Sequence, residues 1–293
     1  MSDVVIVGGG LAGLACAGHL NEAGIGCQIF EAADQVGGRA RTDELNGFLL
    51  DRGFQVLLTA YPEAQRRLDF SGFSLSRFEP GALVRYGGRF RRFVDPWRRP
   101  QHLFASALSP AATFGDKFRV ARLRNRLRSQ SLDAIFEKPE TTTREALDSE
   151  GFSSTIIERF FRPFLGGVFL ESDLDTSSRM FEFVFKMFAT GDAALPARGM
   201  GALAAQLARR LPAGAIQTNT PVQSVEPTAV YLENGQRIAA DAVVVACYGP
   251  SAAQLFDEAG SPQGQDVTCL YYAADFAPIK EPILVLNGEG EGP

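Results

Sequence analysis

The chain opens with a short, unbroken, β-branched apolar run, Val4 to Val7, which predicts a strand buried on both faces. Leu11 to Glu22 follows with apolar and small residues at helical spacing, Gly24 reads as the helix C-cap, and Cys27 to Phe30 is a second buried run. Strand, helix and strand in that order predict neighbouring parallel strands joined by a crossover helix. The middle of the chain has a different period. Phe118, Ala121 and Leu127 lie between arginines and predict an amphipathic helix. Phe181, Val184, Phe185 and Phe188 fall at i, i+3, i+4 and i+7, one face of a helix with Thr176 or Ser177 at its cap. Further on, a helix starts at Gly199 to Ala202, and Asn234-Gly235 between alternating runs predicts a hairpin. Ala242 to Ala246 reads as another buried strand, and 265–293 as further strand-like segments.

Composition narrows the class. A 293-residue chain that is 45% hydrophobic can bury a substantial core, and a net charge of −5 argues against general nucleic-acid binding. The four cysteines, Cys16, Cys27, Cys247 and Cys269, stand singly, with no spacing suited to a metal, and fit a reducing cytosol. No run is long and apolar enough to span a bilayer. Two histidines, His19 and His102, give little scope for catalysis built on a histidine base, so a cofactor that carries its own chemistry is favoured. Arg85 to Arg128 holds about a dozen basic residues and few acids. That segment reads as a solvated face, or as one drawn to anionic lipid or an acidic substrate.

Candidate chemistry gathers near the N-terminus. Gly8, Gly10 and Gly13 sit where a tight turn, a close pyrophosphate approach and helix-to-strand packing each exclude a side chain. Leu11 and Ala12 open the helix whose free amides would face the phosphates. Glu31 ends the second strand about 20 residues later, where a carboxylate accepts ribose hydroxyls and disfavours a 2′-phosphate. NAD and FAD share this opening. In "QVGGRARTDELNGFLLDRGFQVL", Gly37 and Gly38 let backbone close on a phosphate, Arg39 supplies a cation, and Ala40 follows. Asp51 and Gly53 either belong to the same site or mark a simple turn aspartate.

Glu31, the Gly37-Gly38-Arg39 run and the Asp51-x-Gly53 element together resemble the flavin-containing amine oxidase superfamily, which includes monoamine oxidases, protoporphyrinogen oxidases and phytoene desaturases. The resemblance implies that the GGR run contacts FAD and that Asp51 and Gly53 bring backbone towards its flavin side. It also implies that a Gly-Met-x-x-Leu helix and a three-stranded meander return the chain to the FAD domain, with Val222 at the position whose backbone meets the adenine. "RPFLGGVF" looks like an interior turn of the family's mostly helical substrate domain. Where the family often has Ala-Thr before its final turn, this chain has Ala246-Cys247-Tyr248. Family members continue through a glycine-rich Gly-Asp element and a helix facing the flavin, so the chain reads as a shortened member that binds FAD weakly.

The resulting expectation is an α/β protein with a discontinuous Rossmann-like FAD-binding domain, 1–73 and 196–250, and an α+β substrate domain, 74–195 and 251–293. Its function would be FAD-dependent oxidation of a bulky apolar or amine substrate by hydride transfer to flavin, with no metal and no assigned catalytic base. Two alternatives are an NAD-dependent dehydrogenase and a non-catalytic FAD-binding fragment. The expected location is cytoplasmic, with peripheral membrane contact through 85–128 as a further expectation.

Overall fold

The computed structural model describes residues 3–53, 55–94, 112–256 and 264–290. The chain divides into two compact units, one formed by 1–57, 62–76 and 195–264, the other by 58–61, 77–194 and 265–293.

The first unit is built on a parallel sheet. Val4–Val7 (β1) is followed by the helix Leu11–Glu22 (α1) and by Cys27–Phe30 (β2). In the sheet β1 lies between β2 and Ala242–Val245, and Ile216–Gln217 pairs with the far edge of β2. Val4 stands opposite both Cys27 and Ala242, so the three longer strands run in register. Side-chain alternation divides the sheet's apolar residues between two layers. Val4, Ile6 and Ile29 pack with Leu14 and Ala17 of α1 and with Ala204 and Leu207 of the helix Gly201–Ala208. Val5, Val7 and Phe30 pack with Val230 and Leu232 of an antiparallel meander formed by Val222–Glu226, Ala229–Leu232 and Arg237–Ala239. The meander's second turn is the Asn234-Gly235 hairpin, with Gly235 at φ 85° and the Asn234 side chain accepting the Gln236 N–H at 3.0 Å.

The second unit places helices on a mixed three-stranded sheet in the order Leu284–Asn287, Gly81–Tyr86, Arg89–Val94. Its core joins Ala82, Val84 and Leu286 of the sheet to Leu123, Leu127, Ile156, Phe161, Leu165 and Phe181 of the helices. The phenylalanine-rich helix runs Ser178–Thr190 with Ser177 as N-cap. Buried Phe181 and half-buried Phe185 and Phe188 turn towards this core. Three details differ from the sequence reading. Arg162–Phe169, the "RPFLGGVF" stretch, is an α-helix and not a turn; Pro163 suits its first turn, and a π-helical turn at Ile157–Phe161 precedes it. In the helix Phe114–Ser129 the inward face is Leu123, Arg124 and Leu127, whereas Phe118 is 72% exposed. Most of 264–282 carries no regular strand, and only Leu284–Asn287 pairs.

Several arginines of the basic segment carry acidic partners: Arg85 with Glu289, Arg92 with Glu281, and Arg122 and Arg126 with Glu150. The part of that segment between 95 and 111 lies outside the described residues. No described helix is long and apolar enough to cross a membrane.

Candidate functional site

The turn from β1 into α1 carries the glycine pattern, and each glycine there has its own steric reason. Gly8 has φ 107°, and a Cβ on it would press on the Ala246 carbonyl and the Cys247 nitrogen at 3.1–3.2 Å, so it lets the ends of two neighbouring strands close up. A Cβ on buried Gly13 would overlap the Gly8 carbonyl oxygen, so this residue seats α1 against the loop. Gly10 differs: a Cβ there would meet no described atom within 4 Å. Gly10 is the N-cap of α1 and no side chain caps the helix start, which leaves the amide end at Leu11 and exposed Ala12 turned to open space.

Glu31 leaves the end of β2 and holds this loop from below. One carboxylate oxygen accepts the Gly9 N–H at 2.7 Å and the other accepts the Ala33 N–H at 2.8 Å. Each oxygen has a second lone pair, so the group can still accept two hydroxyls. Gly9 was not singled out in the sequence; the run of three glycines was the only signal for it.

The Gly37-Gly38-Arg39-Ala40 turn closes over the same loop. Gly37, at φ 123°, donates its N–H to the Gly9 carbonyl at 2.9 Å and bridges to Gly10. A Cβ on Gly38, at φ 55°, would stand 3.4 Å from the Gly10 Cα. Ala40 is buried and donates to the Gly37 carbonyl at 2.9 Å. Arg39 is exposed, and its guanidinium lies over the Tyr248 ring at 5.7 Å, a pairing that no sequence pattern announced.

Asp51 is no turn residue. It ends the strand Phe48–Asp51, which pairs with Thr42–Leu45, and it is buried. Its Oδ1 accepts the Met200 N–H at 2.9 Å and the Thr42 hydroxyl, and that hydroxyl oxygen accepts the Gly201 N–H at 2.8 Å. The pair thereby serves as the cap of Gly201–Ala208, the helix packed beside α1. A Cβ on Gly53 would overlap the Arg39 carbonyl oxygen, so Gly53 lets this strand end reach the GGR turn.

Gly8 to Gly13, Glu31, Gly37 to Ala40 and Gly53 are thus joined by direct contacts or hydrogen bonds, whereas Asp51 bonds to Thr42 and Met200 at the start of the helix Gly201–Ala208. Val222 is placed less directly: it lies half-buried in the meander opposite Leu232, two residues after Thr220, whose N–H donates to the Glu31 carbonyl at 2.9 Å. Burial pushes the Cys247 thiol pKa up, a backbone hydrogen bond pulls against it, and the charge of Glu31 adds a smaller push upwards. Among the described residues no group of histidine, cysteine or acidic side chains has the makings of a metal site.

Known proteins resemble this chain in sequence and in fold. Protoporphyrinogen oxidase 2, chloroplastic/mitochondrial, of Arabidopsis thaliana is 27% identical over 165 residues, covering 56% of this chain and 32% of that protein. Carotenoid 3,4-desaturase of Haloarcula japonica is 45% identical over 51 residues, 17% of this chain and 10% of that one. A triple mutant of putrescine oxidase with redesigned cofactor binding superposes with a TM-score of 0.63 at 21% identity, over 87% of this chain and 60% of the other, a likeness of fold. The chain therefore spans about a third or less of the length of these two curated relatives. The family described as flavin containing amine oxidoreductase matches residues 11–285, and the chain belongs to that family of FAD-dependent oxidoreductases.

Proposed function

We propose that the first unit is a Rossmann-like FAD-binding domain and the second a substrate domain, and that the protein oxidises a bulky, apolar small molecule. The observation that carries this reading is the open space at Gly10, beside an uncapped helix start, in a loop whose other glycines are filled by protein contacts. A Cβ would take up the volume that a pyrophosphate needs for close approach to the backbone.

In this reading the amides of Leu11 and Ala12, Gly38 and the Arg39 guanidinium hold the two phosphates, Glu31 accepts the ribose hydroxyls, and the Val222 backbone meets the adenine. Asp51 acts at one remove by fixing the start of the helix Gly201–Ala208, while Gly53 keeps the GGR turn close. FAD, when bound, supplies the hydride-accepting ring, which frees the protein from providing a redox group of its own. The chain's residues bind and orient, and none is assigned as a base.

Titration of the purified chain with FAD and, separately, with NAD tests the reading. Saturable FAD binding that NAD does not displace is the expected result. Binding of NAD with exclusion of FAD would make the protein a dehydrogenase of another kind and end the proposal.

A further inference from the structure

The chain leaves the parallel sheet beside the glycine loop through Ala246-Cys247-Tyr248, the stretch at which it departs from the family's usual Ala-Thr. Ala246 still follows the last strand and donates its N–H to the Val7 carbonyl at 2.8 Å. The close approach of Gly8 to Ala246 and Cys247 keeps this exit at the carboxyl edge of the sheet, where open α/β sheets hold their ligands. Tyr248 comes next and is the N-cap of the helix Gly249–Leu255.

Neither capping nor burial explains a tyrosine at this position. Helix caps favour Ser, Thr, Asp or Asn, whose short side chains accept an amide of the first turn, and the Tyr248 side chain makes no such bond. The residue is also 45% exposed. Its ring has two neighbours within the first unit. The face meets the Arg39 guanidinium, 5.7 Å from the ring centroid. The tip meets backbone at Gly264, where a Cβ would overlap the Tyr248 hydroxyl.

Arg39 is thereby held at both ends. Gly53 lies against its carbonyl, the Ala40 N–H closes the turn on the Gly37 carbonyl at 2.9 Å, and a Cβ on Gly38 would touch the Gly10 Cα. Its guanidinium rests on the Tyr248 ring. An exposed arginine samples many rotamers, and one already held over a ring has fewer of them to lose when it binds an anion.

We propose that Tyr248 is a positioning residue for the cofactor, and that its ring holds the Arg39 guanidinium ready for the pyrophosphate. The proposal rests on the flavoenzyme reading, in which Arg39 takes a phosphate, and deepens it with a residue from the stretch where this chain departs from the family's pattern. Tyr248 takes no part in electron transfer.

Tyr248→Ser separates positioning from packing, because serine is a preferred N-cap and the backbone here is extended, at φ −62° and ψ 140°. In circular dichroism melts of the full chain this variant should unfold no earlier than the parent. In flavin fluorescence titrations its Kd for FAD should rise about tenfold, or ~1.4 kcal/mol. Tyr248→Phe keeps the ring and should bind FAD within about twofold of the parent. In an Arg39→Met background, Tyr248→Ser should change the Kd by less than about twofold, since the group it positions is gone. A parent-like Kd in Tyr248→Ser overturns the proposal, as does an equal loss in Tyr248→Phe or a tenfold loss that persists without the Arg39 guanidinium. A Tyr248→Ser chain that melts earlier than the parent would show the ring to be packing and overturn it as well. A parent chain that binds no FAD ends the flavoenzyme reading itself, whereas a parent that binds FAD alongside any of these results ends only the role of Tyr248.

Discussion

Gly10 and Gly13 are both part of the glycine pattern, yet the structure assigns them opposite consequences. Gly10 sits at φ −72° and ψ 179°, extended values open to a β-branched residue, and a Cβ there meets nothing within 4 Å. Gly10→Val therefore gains some rigidity in the unfolded chain and loses some quality as a helix N-cap, and the net change in stability should stay within about 1 kcal/mol. FAD binding should suffer far more. Three carbons in the space of the pyrophosphate forfeit the backbone contacts, and a loss of about 100-fold in Kd, or ~2.7 kcal/mol, is the minimum expected. Gly13→Ala should do the reverse work: its Cβ overlaps the Gly8 carbonyl oxygen, so α1 must shift, costing about 3 kcal/mol before any ligand is added. Circular dichroism melts of both variants without cofactor, followed by flavin fluorescence titration, separate the two effects. If Gly10→Val bound FAD with the parent's Kd, the loop would hold no phosphate. If it melted as early as Gly13→Ala, the open space would be packing space.

Three further outcomes follow from the same geometry. Glu31→Ala should lower stability by about 2 kcal/mol in the absence of cofactor, measured by urea unfolding, because the Gly9 and Ala33 N–H groups lose their acceptor; an unchanged midpoint would mean that the carboxylate serves only a ligand. Asp51→Ala strips the cap from Gly201–Ala208 and leaves the buried Met200 N–H unpaired, for a loss of about 2–3 kcal/mol, with hydrogen exchange rising first at 200–203. Burial would raise the pKa of the Asp116 carboxyl, but hydrogen bonds from Ser153 and Thr113 outweigh it and hold the pKa below the usual value. That contribution is complete above the unfolded value of about 3.9 and is lost as pH falls through the lower folded pKa, so Asp116→Asn should flatten the fall in Tm on acidification below about pH 4.

Local chemistry made some elements legible. The strand, glycine turn, helix and strand from Val4 to Phe30 were readable because a β-branched run and three glycines leave few conformational choices, and Asn234-Gly235 fixed its hairpin for the same reason. The Phe181 stripe showed its face because one side of that helix is apolar throughout. Where two faces compete, the period does not choose: Phe114–Ser129 carries apolar residues on both sides, and packing selected Leu123 and Leu127 over Phe118. The family resemblance implied a turn at Arg162–Phe169, yet burial of Phe164 and Leu165 holds that stretch in a helix. Long-range hydrogen bonds left no mark at all. The partnership of Asp51 with Met200 and that of Arg39 with Tyr248 join residues far apart in the chain, and no spacing rule connects them.

The pairing of Val4–Val7 with Ala242–Val245 also bears on how the protein is made. At about 5–20 residues per second, a ribosome needs roughly 10–50 s to travel from the first of these strands to the second. During that interval the central strand of the parallel sheet has Cys27–Phe30 on one side and an unpaired apolar edge on the other. Nascent chains should therefore require a holding chaperone until the last strand emerges, and slowed synthesis in the second half of the message should raise the aggregated fraction more than the same delay placed after Val245.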